Sequence, residues 1–308
     1  MDRAPARADI PADKALSWPL PGSGGTDSRW QALFDTARDD VVIGRLTEAH
    51  ADACAISHDL GSTMPQPGQL WGVWAAQPPT PVLRAVLHAS TAVLSGRKVW
   101  CSGAGICSHA LVTADIEGGA ALFAVDLAEP GVAAVPGSWH GSGMVGSATS
   151  TMDFDAVPAT LVAAPGGYLG RAGFWHGAVG VAACWLGAAQ GVGDLLLESS
   201  GDDPLRQSHR GAVDAALYAA RCALACAAAE VDADPHDSHT ARIRARRVRA
   251  IVEHAATCTI DRVGRALGAA PLAQNAAHAR RVADLTVYLR QSHADYDLAD
   301  LGALVGPR

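Results

Sequence analysis

No C-x-x-C pair occurs in the 308 residues, and the seven cysteines are odd in number. That excludes a zinc ribbon or a simple disulfide framework and reads as free thiols in a reducing, cytoplasmic setting. Cys222 and Cys226 stand at i, i+4 on a helical stretch and read as two small core residues. No basic block is interleaved with aromatics and the formal net charge is −7, so nucleic acid is not an expected partner. The opening stretch MDRAPARADIPADKALSWPLPGSGG lacks an apolar h-region, so no secretory signal is expected there. Aromatics other than tryptophan are few, with four Phe and four Tyr against eight Trp. The core must therefore be filled by aliphatic and small side chains. Abundant Ala and Gly fit closely packed helices, and a GC-rich coding sequence gives the same bias.

One apolar run invites a membrane reading. Residues 173–197 are long and carry almost no charge. His176, Gln190 and Asp194 interrupt them, and glycines recur between 177 and 193, so a helix buried in a bundle is expected instead of a membrane span. The acidic stretch around His236 and His239 lies between two helical segments and reads as a solvated loop, so no metal is expected.

What is present falls into three textures. Residues 1–68 read as a flexible lead-in, with the run Gly22-Ser23-Gly24-Gly25, and a short helical region whose apolar spacing runs over 29–60, with Gly61 as its stop. Residues 69–166 are short apolar runs separated by turn residues such as Glu117-Gly118-Gly119 and Glu129-Pro130-Gly131, the pattern of a β-barrel or sandwich. Residues 167–308 read as four helices near 172–198, 204–232, 238–267 and 275–300, an antiparallel four-helix bundle. The fold class expected is α+β.

Several stretches in this order resemble the acyl-CoA dehydrogenase-like flavoprotein family. Gly96-Arg97-Lys98-Val99-Trp100-Cys101-Ser102-Gly103-Ala104 resembles the family segment G-x-K-x-W-[IV]-[TS]-x-A, and Ala110-Leu111-Val112-Thr113-Ala114 follows as the family pattern expects. Gly143-Met144-Val145-Gly146-Ser147 resembles the family turn G-x-R-G-[ST], and Phe154-Asp155-Ala156-Val157-Pro158 resembles F-x-x-V-x-V-P. About 230 residues, from near 70 to near 300, are covered by the resemblance. It implies FAD as cofactor, an acyl-CoA-like substrate and a homodimer or homotetramer. FMN stays open beside FAD. The resemblance places Trp100 by the flavin ring, with Cys101 and Ser102 near its N5 edge. Trp74, Ala75 and Ala76 occupy the family's other flavin strand, Ala76 standing where a threonine hydroxyl usually touches the ring. Gly268, in Leu267-Gly268-Ala269-Ala270, stands where an L-G-G turn contacts the dinucleotide, and Arg206 stands in the region of the family's R-x-x-F-G motif.

The family's catalytic glutamate is not found. Nine residues beyond Arg281, where one family pattern places it, stands Arg290, which cannot act as a base at neutral pH. The first bundle helix, the other family position, has no glutamate before Glu198. His176 on that helix is the candidate base or proton donor, with His293 as a second; a histidine on an apolar helix is also an ordinary core residue. Three readings follow from the resemblance. The chain is an FAD-dependent oxidoreductase of acyl thioesters, a flavin-dependent monooxygenase-like enzyme on the same fold with His176 assisting, or a non-catalytic subunit that completes a heteromeric dehydrogenase with a partner subunit.

Overall fold

A computed structural model describes residues 5–89 and 91–306; residues 1–4 of the expected lead-in lie outside the described residues, as do 90 and 307–308. The elements are α1 (Ala12–Ala15), α2 (Thr26–Asp39), α3 (Val41–Asp59), β1 (Trp71–Trp74), β2 (Leu83–His88), β3 (Thr91–Cys101), β4 (His109–Ile116), β5 (Gly119–Asp126), β6 (Val132–Val135), β7 (Ser150–Ala163), α4 (Ala172–Leu197), α5 (Pro204–Ala233), α6 (Ser238–Leu267), α7 (Ala270–Gln274), α8 (Ala276–Tyr288) and α9 (Asp295–Val305). They form two compact units. Among the described residues, one comprises 5–18, 46–141 and 145–174, the other 19–45, 142–144 and 175–306.

In the first unit the strands run in the order β1-β4-β2-β3-β7-β5, and β5 returns to pair with β4. The path from β4 round to β5 is therefore closed into a barrel, with β1 added on β4 and β6 on β7. The β4–β5 hairpin sets the register, Ile116 facing Gly119 across the two-residue turn Glu117-Gly118. Gly118 takes φ 92°, a value that a side chain disfavours and this tight turn requires. Alternation along the hairpin then serves two cores. Ala110, Val112, Ala114, Phe123 and Val125 point to the interior cluster with Leu94 and Phe154. Leu111 and Leu122 point the other way, onto Ala53 and Ile56 of α3, Trp71 and Tyr168. Both faces of β4 are covered, which is why its sequence HALVTADI reads as an almost continuous apolar run. The lead-in is not bare chain: α1 follows a single 3-10 turn, and Ile10, Ala12 and Ala15 are buried.

The second unit is helical. The helix expected over 29–60 is two helices, because the Asp40 carboxylate accepts the amides of Val42 and Ile43 and starts α3 afresh. α4 is apolar on all sides, and most of it is buried. Its glycines let other backbone approach: a Cβ on Gly187 would lie 2.0 Å from the Phe34 carbonyl of α2. α5 is the second helix long and apolar enough to cross a membrane, and it is largely uncovered. α5 and α6 are started by Asp203 and Asp237, each accepting a first-turn amide. The fourth helix expected over 275–300 is broken. α8 ends at Tyr288, a 3-10 turn follows, and Ala294 at φ 46° reorients the chain into α9. Polar side chains stabilise the break: Ser292 Oγ accepts the Ala294 amide, and Asp297 accepts that of His293. α9 is tied down by Arg242 and Arg246, which bind Asp300 and Asp297 while stacking at 5.5 and 5.1 Å over the Trp175 ring.

The glycine contact sets a contrast. Gly187→Ala is expected to lower the unfolding free energy by about 1–3 kcal/mol by forcing α2 from α4. Gly211→Ala, on an exposed stretch of α5 with nothing within 4 Å, is expected to raise it by about 0.5–1 kcal/mol. Urea denaturation of both variants checks the pair.

Candidate functional site

The resembling segment Gly96–Ala104 covers the end of β3 and the turn after it. After an earlier register shift between Leu94 and Gly96, β3 pairs with β7 in regular steps from Gly96 to Lys98 opposite Met152, and pairing resumes at Cys101 opposite Ser150. Val99 and Trp100 therefore face a single residue, Thr151, which makes a β-bulge. The excess is taken up at Trp100, whose φ of 56° lies in the left-handed region. A bulky side chain there costs about 1–3 kcal/mol. Trp100 is 61% exposed, so packing does not repay that strain within this chain. Beyond the bulge Cys101 turns back into the interior, where burial pushes its thiol well above the usual range despite nearby Lys98. It stays protonated and is no nucleophile.

Behind the exposed ring the backbone is fixed. Trp74 is buried, and its indole N–H donates to the Ser102 carbonyl at 2.9 Å. Gly72 gives that indole room, since a Cβ there would lie 2.7 Å from the ring nitrogen. The Ser102 hydroxyl accepts from Thr149 Oγ1 at 3.3 Å, and Thr149 in turn meets the fully buried Ser147 hydroxyl at 2.7 Å. Gly103 N–H donates to the Ser147 carbonyl at 2.8 Å. Gly146-Ser147, from the turn resembling G-x-R-G-[ST], thus braces the same segment. Ala75 and Ala76 follow β1 without side-chain donors, and Gln77 binds Asp115 at 3.0 Å.

Sequence reasoning passed over Lys98 as a site residue. Its side chain is buried inside the barrel, and Nζ donates to the Thr113 carbonyl at 2.6 Å and to the Thr113 hydroxyl at 2.7 Å. Burial lowers its pKa to about 8, against the opposing pull of Cys101 and Asp115. The signal was a lysine at an inward position of a barrel strand.

The remaining expected residues belong to the helical unit. His176 is buried, and its Nε2 donates to the Pro235 carbonyl at 2.9 Å. Arg206 caps its own surroundings, donating to the Ser200 carbonyl at 2.9 Å. Gly268 ends α6 at φ 68° and is open to solvent. Arg281 donates to the carbonyls of Gly191, Arg38 and Asp39, closing the C-terminus of α2. Arg290 pairs with Glu253 at 3.3 Å, and Ser292 binds the same carboxylate at 2.6 Å. Ser102 and Trp100 stand together with Trp74; His176, Arg206 and Gly268 are separate places on the bundle. Among the described residues no group of three or more His, Cys, Asp or Glu is arranged to hold a metal.

The strand order, the helices and the bulged segment define the acyl-CoA dehydrogenase-like fold, and comparison with solved structures bears this out. The chain superposes on KijD3, solved with FMN and dTDP-3-amino-2,3,6-trideoxy-4-keto-3-methyl-D-glucose, with TM-score 0.77, 20% identity and coverage of 96% of this chain and 82% of that one. Against butyryl-CoA dehydrogenase from Megasphaera elsdenii the values are 0.77, 17%, 91% and 82%. Against the dibenzothiophene monooxygenase TdsC from Paenibacillus sp. A11-2 they are 0.74, 18%, 89% and 81%. No family model matches the sequence, and no curated protein matches it.

Two stability measurements test this site. Trp100→Gly relieves the left-handed strain and is expected to leave unfolding free energy unchanged or raised by about 1 kcal/mol, whereas Trp74→Ala is expected to lose about 3–5 kcal/mol. For Lys98 the folded pKa lies below the unfolded one, so the folded state binds fewer protons between the two and stability rises with pH there. Wild type is expected to gain about 3 kcal/mol relative to Lys98→Met as pH rises from about 8 to about 10.5, followed by chemical denaturation at each pH.

Proposed function

We propose that this chain is a flavin-dependent oxidoreductase. The observation that carries the reading is Trp100: an exposed indole held on a strained backbone, at the position where the resembling family lays its flavin. Strain that the chain does not repay internally points to a ligand that repays it. The residues present fit a flavin ring. Trp100 offers an apolar face and Ser102 a hydroxyl already oriented by Thr149, while Cys101, its neutral thiol turned into the interior, offers only backbone. A bound isoalloxazine supplies hydride and electron transfer that no side chain here provides. Ala75 and Ala76 contribute backbone groups alone, and Gly268 and Arg206 are the bundle positions assigned to the dinucleotide portion if FAD is the form bound.

Within that class the acyl-thioester dehydrogenase reading requires a carboxylate base, and neither family position has one. The glutamate position is taken by Arg290, held by Glu253, and α4 has none before Glu198. This favours the monooxygenase-like reading, in which no α-proton is removed from an acyl substrate. KijD3 and TdsC, both solved with FMN, and the monooxygenase activity named for TdsC support it. His176 then acts as proton donor only if its bond to Pro235 opens. A homodimer or homotetramer, and a cytoplasmic setting, belong to the same proposal; the reading set against it is a non-catalytic subunit that completes a heteromeric dehydrogenase.

Titration of the purified protein with FMN and with FAD, followed by flavin fluorescence and retention on gel filtration, tests the class. Binding is expected, and Trp100→Gly is expected to weaken it roughly tenfold through the lost aromatic stack. A protein that retains neither flavin ends the reading. Anaerobic bleaching by an acyl-CoA substrate returns the dehydrogenase reading; oxygen uptake by the reduced holoprotein without such bleaching supports the other.

A further inference from the structure

We propose that Lys98 is a positioning residue for the flavin wall and an electrostatic one, holding the β3 bulge in place and biasing the bound flavin toward its reduced, negatively charged form. The inference rests on the flavin reading above and goes beyond it, because it assigns a role to a residue inside the barrel that touches no substrate.

The geometry points to it in three ways. Lys98 is the last residue of β3 in regular register with β7, immediately before Val99 and Trp100 make the bulge. Its side chain does not bind a neighbouring strand: β3 lies between β2 and β7, while Thr113 belongs to β4, so the amine crosses the barrel interior. The strand is thereby pinned at the residue where it leaves the sheet, and the position of Trp100 two residues on is fixed with it. Thirdly, among the described residues the amine forms no salt bridge. Its two acceptors are the neutral carbonyl and hydroxyl of one threonine, and Lys98 is 4% exposed. A strand anchor alone needs no charge, and methionine would fill the same interior without desolvating an ammonium.

Among the described residues the charged groups around the amine are few. Asp115 on β4 and Cys101 on β3 favour its charged form, and burial opposes both. Asp115 is itself engaged by Gln77 from the segment after β1, and β2 sets Arg84 in register with it. The Arg97–Asp153 pair, from β3 and β7, is exposed and neutral as a pair. β7 places Met152 opposite Lys98, so no further ionised group is contributed there. With the amine's pKa at about 8, its charge is present below that pH and lost above it.

The test uses holoprotein reconstituted with whichever flavin it retains. Midpoint potentials are measured by dye equilibration for wild type, Lys98→Met and Lys98→Arg at pH values on both sides of 8. Below that pH, Lys98→Met is expected to lose preference for the reduced flavin about tenfold, or ~30 mV for a two-electron couple, while Lys98→Arg keeps the wild-type potential. Above it, the wild-type potential is expected to fall toward that of Lys98→Met. Coincident potentials for wild type and Lys98→Met at all pH values overturn the electrostatic role while leaving the flavin reading intact; failure to retain flavin removes both. If Lys98→Met does not fold, 13C NMR of the lysine ε-carbons in wild type decides. One buried lysine is expected to titrate near 8 in the apoprotein and at a higher pH when reduced flavin is bound. An unchanged titration on flavin reduction sinks the proposal.

Discussion

Between Lys98 and Cys101 the strand β3 carries one residue more than β7 opposite it, and the backbone absorbs the excess at Trp100 in a left-handed conformation. The candidate site follows from that. Without the bulge, the strict alternation of a strand that places Lys98 inside would place Trp100 inside as well. With it, Lys98 and Cys101 stay inward, Trp100 faces out, and Ser102 arrives where its carbonyl meets the Trp74 indole. A closed barrel makes this arrangement stiff, because neither β3 nor β7 has a free edge along which the register can slip.

The helical unit meets a different constraint. Few large aromatics are available, so close backbone approach replaces bulky packing, as at Gly187 against Phe34. The buried Trp185 is used with a cation. Trp185 receives Arg249 at 4.4 Å and Tyr288 edge-on at 6.1 Å. Arg249 also donates to the carbonyls of Ala178 and Gln291, so one buried guanidinium ties α4 to the broken end of α8. The side chains that the sequence offers as chemistry on this unit are spent on backbone: His176 on Pro235, Arg206 on Ser200, Arg281 on the end of α2. Histidine and arginine are versatile donors, and a helical bundle with many chain breaks has many carbonyls to satisfy.

The sequence by itself determined the class of each stretch. Alternating apolar runs with glycine turns mark strands over 69–166, and 3.6-residue spacing marks helices on either side, because those periods follow from how side chains project. It determined which segment resembles a flavin wall, since Gly96, Lys98, Trp100 and Ser102 sit at fixed offsets. It also showed that no glutamate occupies either family position. Only the tertiary structure decided the rest. The helix breaks at Asp40 and at Ala294 depend on which amides Asp40, Ser292 and Asp297 accept, and these are choices among local partners that periodicity does not encode. That Trp100 faces out depends on one unpaired residue between two strands that lie some fifty positions apart, and that Lys98 reaches Thr113 depends on barrel closure, which brings non-adjacent strands within a side chain's length. Side-chain period is a local property of the chain, whereas register, closure and the partner of a buried charge are set by segments distant in sequence, so they exist only once the fold has formed.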